Sequence, residues 1–252
     1  RRNFLEASIM SLCLQLDVGN SSAKWRLLEQ GDVLSRGRYS AADANTQREL
    51  LESTASVDQI WVSSVAGGDT EAELREMLEQ RWGVTPWFAR TPAATGDLRN
   101  SYADPARMGV DRWLAMLGAR ARCGKRVCVV DAGSALTIDL ISTTGQHEGG
   151  YIIPGPALME RALLLDTDRV RFTDEVSYDL APGSSTAEAV RHGIAVAQVG
   201  SVSIVLDGCA SEPPALIFCG GAGQVLQQLL DRGGEFVPEL VFEGLEIMAT
   251  AP

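Results

Sequence analysis

The chain has 252 residues, 45% of them hydrophobic and 22% charged. That is a globular composition, with enough apolar mass for a sizeable core, and it excludes a disordered chain. Its 33 acidic against 22 basic side chains leave a net charge of −11. Such a charge repels phosphate backbones and anionic lipid, so neither nucleic acid nor a membrane surface is an expected partner. A small anionic ligand held by backbone N–H groups or a metal remains compatible with it.

Residues 1–11 read as a leader or expression remnant ahead of the first strand-like run, and Glu6 interrupts any signal-peptide apolar stretch. Strands are expected over 12–18 and 23–29, joined by a Gly19-Asn20-Ser21-Ser22 turn, and over 33–39. Another follows at 59–65. A helix capped by Asp69 or Thr70 runs to Arg81 with Leu74, Met77, Leu78 and Trp82 on one face. Residues 84–89 are strand-like, and 90–108 are too rich in Thr, Pro, Gly, Asp and Asn for regular structure. A helix over 111–122 turns Trp113, Leu114 and Leu117 inward. Strands at 126–131 and 135–142 flank Ala132-Gly133-Ser134, and a third strand starts at Gly149 and ends in a turn at Pro156. Thr186 caps a long helix reaching Leu206. The last elements are a strand over 215–219 and a helix over 223–232.

At roughly 150 residues per domain the length suits one large domain or two modest ones. No Pro/Ser-rich linker separates halves, and a boundary falls within 105–125, giving domains of 12–110 and 111–248. No run of 18 apolar residues exists, so no membrane span is expected. Five cysteines without a Cys-x-x-Cys pair read as buried thiols in a reducing cytoplasm. His147 and His192 are isolated, and a structural role is expected for each.

The most informative feature is a repeat. Asp17-Val18-Gly19-Asn20-Ser21 closes one apolar strand and opens another, and Asp131-Ala132-Gly133-Ser134-Ala135 does the same half a chain later. Two copies at equivalent places suggest two similar α/β halves facing each other. In such a hairpin, glycine lets backbone approach a ligand, and successive N–H groups and short hydroxyls form an anion-binding concavity. The aspartate offers a hard oxygen to Mg²⁺ or its water shell. Two such hairpins could hold a nucleotide triphosphate between domains, with Lys24 adding positive charge. Other phosphate motifs fail: Gly124-Lys125-Arg126 lacks the remainder of a P-loop, and no Gly-x-Gly-x-x-Gly follows a strand.

Six segments then occur in order: Asp17 to Ser21, Gly109-Val110-Asp111-Arg112, Asp131 to Ala135, Gly149 to Gly155, Thr186 to Val190 with Gly193, and Gly220-Gly221. This ordered set resembles the type III pantothenate kinases, over about residues 12–245. The family's usual threonines are replaced by Ser21 and Ser134, which keep the hydroxyl. The resemblance implies an α/β fold of two ribonuclease-H-like domains of the actin/hexokinase/Hsp70-like superfamily. It implies transfer of the γ-phosphoryl of ATP to the primary hydroxyl of pantothenate, the first committed step towards coenzyme A. Asp17, Val18, Gly19, Asn20, Ser21, Ser22, Ala23 and Lys24 would form the first phosphate loop, with Asp17 near Mg²⁺, and Ser134 would contact phosphate from the second. Asp111 would accept the proton, while Tyr102, Gly109, Val110 and Arg112 would line the pantothenate site. Asp131 would hold a monovalent cation, K⁺ or NH₄⁺. Thr186 would reach substrate from a partner subunit, making the protein a homodimer with its active site at the interface. On residues alone, Asp111-Arg112 also reads as a helix-terminal acid beside a surface ion pair. Two other functions compete: a sugar or acetate kinase or phosphatase of the superfamily, whose chains are generally longer, and a regulatory accessory factor for transcription. No helix-turn-helix with a basic recognition helix supports direct DNA contact.

Overall fold

The computed structural model describes residues 11–19, 23–166, 171, 172 and 174–251. The chain forms two compact units, residues 1–90 and 91–252. The division lies ahead of the 110/111 boundary read from the sequence, and 91–110 clusters with the second unit. Residues 1–10 of the expected leader lie outside the described residues.

The first unit is one five-stranded sheet with helices. Its elements are β1 (Leu12–Val18), β2 (Ala23–Glu29), β3 (Asp32–Tyr39), α1 (Ala44–Leu51), β4 (Gln59–Ser64), α2 (Gly68–Trp82) and β5 (Trp87–Phe88). The strand order is β3-β2-β1-β4-β5. The β1–β2–β3 meander is antiparallel, whereas β4 and β5 join in parallel after helical crossovers. Alternation along β1 sends Leu14, Leu16 and Val18 into a core shared with Leu50, Ile60, Val62, Leu74 and Leu78. The register sets Asp17 opposite Lys24 on β2 and Ser63 on β4. α2 starts without the expected Asp69 or Thr70 cap: Gly67 is the N-cap and no side chain bonds there. Gly83, left-handed at φ 68°, closes it with an N–H to Glu79 O at 2.8 Å. α1, capped by Asp43, is eight residues long and mostly polar, so the sequence does not announce it.

The second unit repeats that plan. It begins with the short hairpin β6 (Ala94–Thr95) and β7 (Leu98–Arg99), a 3₁₀ turn over Pro105–Arg107, and α3 (Val110–Arg122). The sheet is built from β8 (Val127–Ala132), β9 (Ala135–Ile141), β10 (His147–Pro154), β11 (Ala215–Cys219) and β12 (Glu235–Phe236), in the order β10-β9-β8-β11-β12. The helices are α4 (Pro156–Asp166), α5 (Thr186–Gly208), α6 (Gly223–Leu230) and α7 (Leu240–Thr250). Again two antiparallel pairings are followed by two parallel ones. Val130, Leu136, Ile138, Val202, Phe218 and Leu226 form the core.

α3 is buried at Val110 and from Arg112 to Ala119. It packs on the sheet and on α7, where Gly244 lies so close that a Cβ there would stand 1.9 Å from Leu114 O. Ser185, not Thr186, is the N-cap of α5, its hydroxyl accepting from Glu188 N at 3.2 Å. By length and composition α5 is the one helix among the described residues able to cross a membrane. Counting an uninterrupted apolar run overlooks it, because Glu188, Arg191, His192 and Gln198 punctuate it.

Candidate active site

The two Asp-x-Gly hairpins occupy equivalent places at the ends of the paired central strands. In the first unit Asp17 is half-buried and its Oδ1 accepts from Ser63 Oγ at 3.0 Å. Val18 and Ala23 are buried at the hairpin's base, Gly19 is half-buried and Lys24 is exposed; Asn20, Ser21 and Ser22 lie outside the described residues. In the second unit Asp131 is half-buried and Ser134 exposed. Gly133 N donates to Ala135 O at 2.9 Å and Gly155 N to Ser134 O at 3.0 Å, which shapes the turn. Gly220, at φ +81°, presses its bare backbone against Asp131: a Cβ would stand 2.3 Å from Oδ1. Any side chain would both strain that φ and collide, so glycine is required.

Among the described residues no group of three or more His, Cys, Asp or Glu side chains could cage a metal. Mg²⁺ needs no such cage, since it takes one or two carboxylates, substrate phosphates and waters. Asp17, oriented by a hydroxyl donor, fits that donor set.

Asp111 stands in the first turn of α3, behind the N-cap Gly109. Its Oδ1 accepts from Arg112 N at 2.8 Å. Burial raises its pKa above the ordinary aspartate value, while that amide bond and the Arg112 charge only partly oppose the shift. A carboxylate raised in this way is a better proton acceptor than an exposed one.

Arg112 is not on the surface, and its ion-pair partner is not Asp111. It is buried, with Nε donating to Asp139 Oδ2 at 3.0 Å and Nη2 to Asp139 Oδ1 at 2.5 Å. Nη1 donates to the Tyr102 hydroxyl at 3.0 Å, so the structure brings Tyr102 and Arg112 together as direct partners. Asn100 Oδ1 accepts from Tyr102 N at 2.9 Å and fixes the loop that carries the ring. Asp139 was not singled out from the sequence, and His147 only as an isolated histidine with an expected structural role. The available signal was a carboxylate in the middle of the apolar run Ala135–Ile141, which only a buried partner explains.

Thr186 is elsewhere. It is exposed at the start of α5 and lines a groove of about 900 Å³ between α4 and α5, with Leu158, Met159, Val190, Gly193 and Ile194.

The sequence profile of the type III pantothenate kinase family matches residues 13–207. The chain belongs to that family. It is 38% identical to the type III pantothenate kinase of Hahella chejuensis over 94% of this chain and 97% of that one. It is also 38% identical to that of Marinobacter nauticus, over 95% and 99%. In fold it matches a structure described as a Baf family transcriptional activator from Campylobacter jejuni, with TM-score 0.59, 24% identity and coverage of 93% and 96%. A 2-dehydro-3-deoxygalactonokinase protein from Sinorhizobium meliloti matches with TM-score 0.50 and 16% identity, over 94% and 97%. These matches show the fold alone, an α/β architecture that here has two five-stranded sheets of the same strand order. The chain is therefore a pantothenate kinase, using ATP with a divalent metal ion to phosphorylate pantothenate in coenzyme A biosynthesis.

Proposed function

We propose that Asp111 is the proton acceptor of this kinase. The pantothenate primary hydroxyl attacks the γ-phosphorus of ATP, the new O–P bond forms as the bridging bond to ADP breaks, and the hydroxyl proton passes to Asp111. The observation that carries this reading is the half-buried, raised-pKa carboxylate at the start of α3, in sequence beside an arginine that bonds Tyr102. Phosphoryl transfer asks the protein mainly to position groups and neutralise charge, which needs no histidine base.

The rest of the assignment follows the motifs. Asp17, Val18, Gly19, Asn20, Ser21, Ser22, Ala23 and Lys24 form the first ATP loop, and Ser134 contacts phosphate from the second. Mg²⁺, when bound, neutralises phosphate charge, and Asp17 is its protein ligand. K⁺ or NH₄⁺ sits at Asp131. Tyr102, Gly109, Val110 and Arg112 line the pantothenate site, completed by the partner subunit's Thr186. The exposed apolar surface of α4, α5 and β10 supports a homodimer, with Leu158, Leu163, Leu165, Val196, Ile204 and Ile152 all open to solvent in the single chain. A fully active monomer by light scattering at micromolar concentration would overturn that. Five free cysteines, four of them buried, support a cytoplasmic enzyme.

Asp111→Asn tests the central claim. Asparagine keeps the shape but cannot take the proton, so kcat falls about 10²–10⁴-fold while dissociation constants for ATP and pantothenate stay within about threefold. The wild-type rate falls on the acid side as Asp111 protonates, at a pH above the usual aspartate range, and the variant lacks that limb. Stability has the opposite sign. A carboxyl whose pKa is raised by folding favours the fold below its unfolded value, and this contribution is lost as pH rises through the folded value. The variant's melting temperature at neutral pH is therefore equal or higher. Near wild-type turnover would refute the assignment.

A further inference from the structure

We propose that Asp139 is a positioning residue for Arg112, held in turn by His147, and that this buried chain sets how the guanidinium meets pantothenate. The proposal rests on the reading of Arg112 as part of the pantothenate site.

Asp139 sits mid-strand in β9, 1% exposed, and Arg112 is 5% exposed. The carboxylate takes one edge of the guanidinium through two bonds, at 3.0 and 2.5 Å. A second ring of contacts fixes the carboxylate itself. His147, 1% exposed, places Nε2 3.0 Å from Asp139 Oδ1 and Nδ1 2.8 Å from Ser101 Oγ. A carboxylate only accepts, so Nε2 carries a proton towards Asp139, while Nδ1 shares a hydrogen bond with the Ser101 hydroxyl. β10 leaves space for the pair. Gly150 is the register partner of Asp139, and a Cβ there would stand 2.2 Å from Asp139 Oδ1 and 2.8 Å from Arg112 Nη2. The second glycine of Gly149-Gly150 thus serves the ion pair.

Burying two charges often stabilises a fold no better than apolar residues of the same volume would. What the pair provides is a fixed orientation. A guanidinium has five N–H groups. Asp139 takes one on Nε and one on Nη2, and the Tyr102 hydroxyl takes one on Nη1. One N–H on each terminal nitrogen is left, the spacing a substrate carboxylate accepts bidentately. Because Asp139 already balances the Arg112 charge, recognition rests on hydrogen-bond direction rather than on net attraction. Any loss of Asp139 therefore weakens pantothenate binding through Arg112.

The test is a double-mutant cycle in the full chain, reading kcat, both KM values and melting temperature for Arg112→Met, Asp139→Asn and the pair. Each single variant is expected to raise KM for pantothenate about tenfold or more, with KM for ATP within about twofold. The double variant is expected to be no worse than the weaker-binding single. Effects that multiply, or an unchanged KM in Asp139→Asn, overturn the proposal. If Arg112→Met raises KM and Asp139→Asn does not, the site reading stands and the positioning role fails. If neither does, both fail. Should Asp139→Asn not fold, His147 decides. His147→Phe keeps ring volume and the ion pair but loses the donor, and is expected to raise KM for pantothenate about threefold, whereas His147→Gln, which retains an N–H donor, restores it. Equal KM values in wild type and His147→Phe overturn the proposal.

Discussion

The two sheets share one plan and differ where chemistry would be done. Both run antiparallel, antiparallel, parallel, parallel, and both end a central strand in Asp-x-Gly. In the first, the parallel neighbour β4 supplies Ser63, whose hydroxyl holds Asp17. In the second, the parallel neighbour β11 places Cys219 level with Asp131 and runs on into Gly220, whose bare backbone packs against the carboxylate. A repeated frame thus presents one carboxylate oriented by a hydroxyl donor and one backed by main chain. The first arrangement suits a directional ligand to a small hard ion. Only the second unit carries the Arg112–Asp139–His147 chain, which joins α3 to β9 and β10, so the two units share a frame but not this buried ion pair.

The comparison breaks most sharply if the aspartates are exchanged for asparagine. Asp17→Asn is expected to raise the divalent-metal concentration for half-maximal activity by about 10–100-fold, leaving the response to K⁺ intact. Asp131→Asn is expected to abolish the difference between K⁺ and Na⁺ buffers with little change in metal demand. Both variants showing the same ion profile would mean that the two hairpins are not specialised. Gly220→Ala comes next. Its Cβ meets Asp131 and the Ala132 carbonyl, and φ +81° is strained for alanine by about 1–2 kcal/mol. A melting temperature lowered by several degrees together with a weakened K⁺ response is the expected result. A lowered melting temperature with a normal K⁺ response would detach Asp131 from the cation. Ser63→Ala gives the smallest change. It removes one hydrogen bond to a carboxylate, and metal demand is expected to rise about tenfold at most. No shift at all would argue that Asp17 does not act through a metal.

Much of this was legible in the chain itself. Alternation in Leu12–Val18, a short apolar run in Val127–Ala132, and turn residues after each mark the central strands without any knowledge of partners. The repeated Asp-x-Gly announces two like halves, and the helix carrying Asp111 follows from its apolar face. Other elements were illegible because their signals are weak or non-local. α1 is mostly polar, α4 and α7 are apolar without a clean stripe, and β5 is two residues long, so each depends on the neighbour that receives it: β3 for α1, α5 for α4, α3 for α7 and β4 for β5. Periodicity and turn chemistry are short-range properties, and they determined the strands, the hairpins and the order of the motifs. The partner of Arg112, the donor on Asp17 and the glycine against Asp131 depended on registers between strands far apart in sequence. Burial then decided the chemistry, because a charged group removed from water must find its counter-charge in whichever strand the fold places beside it.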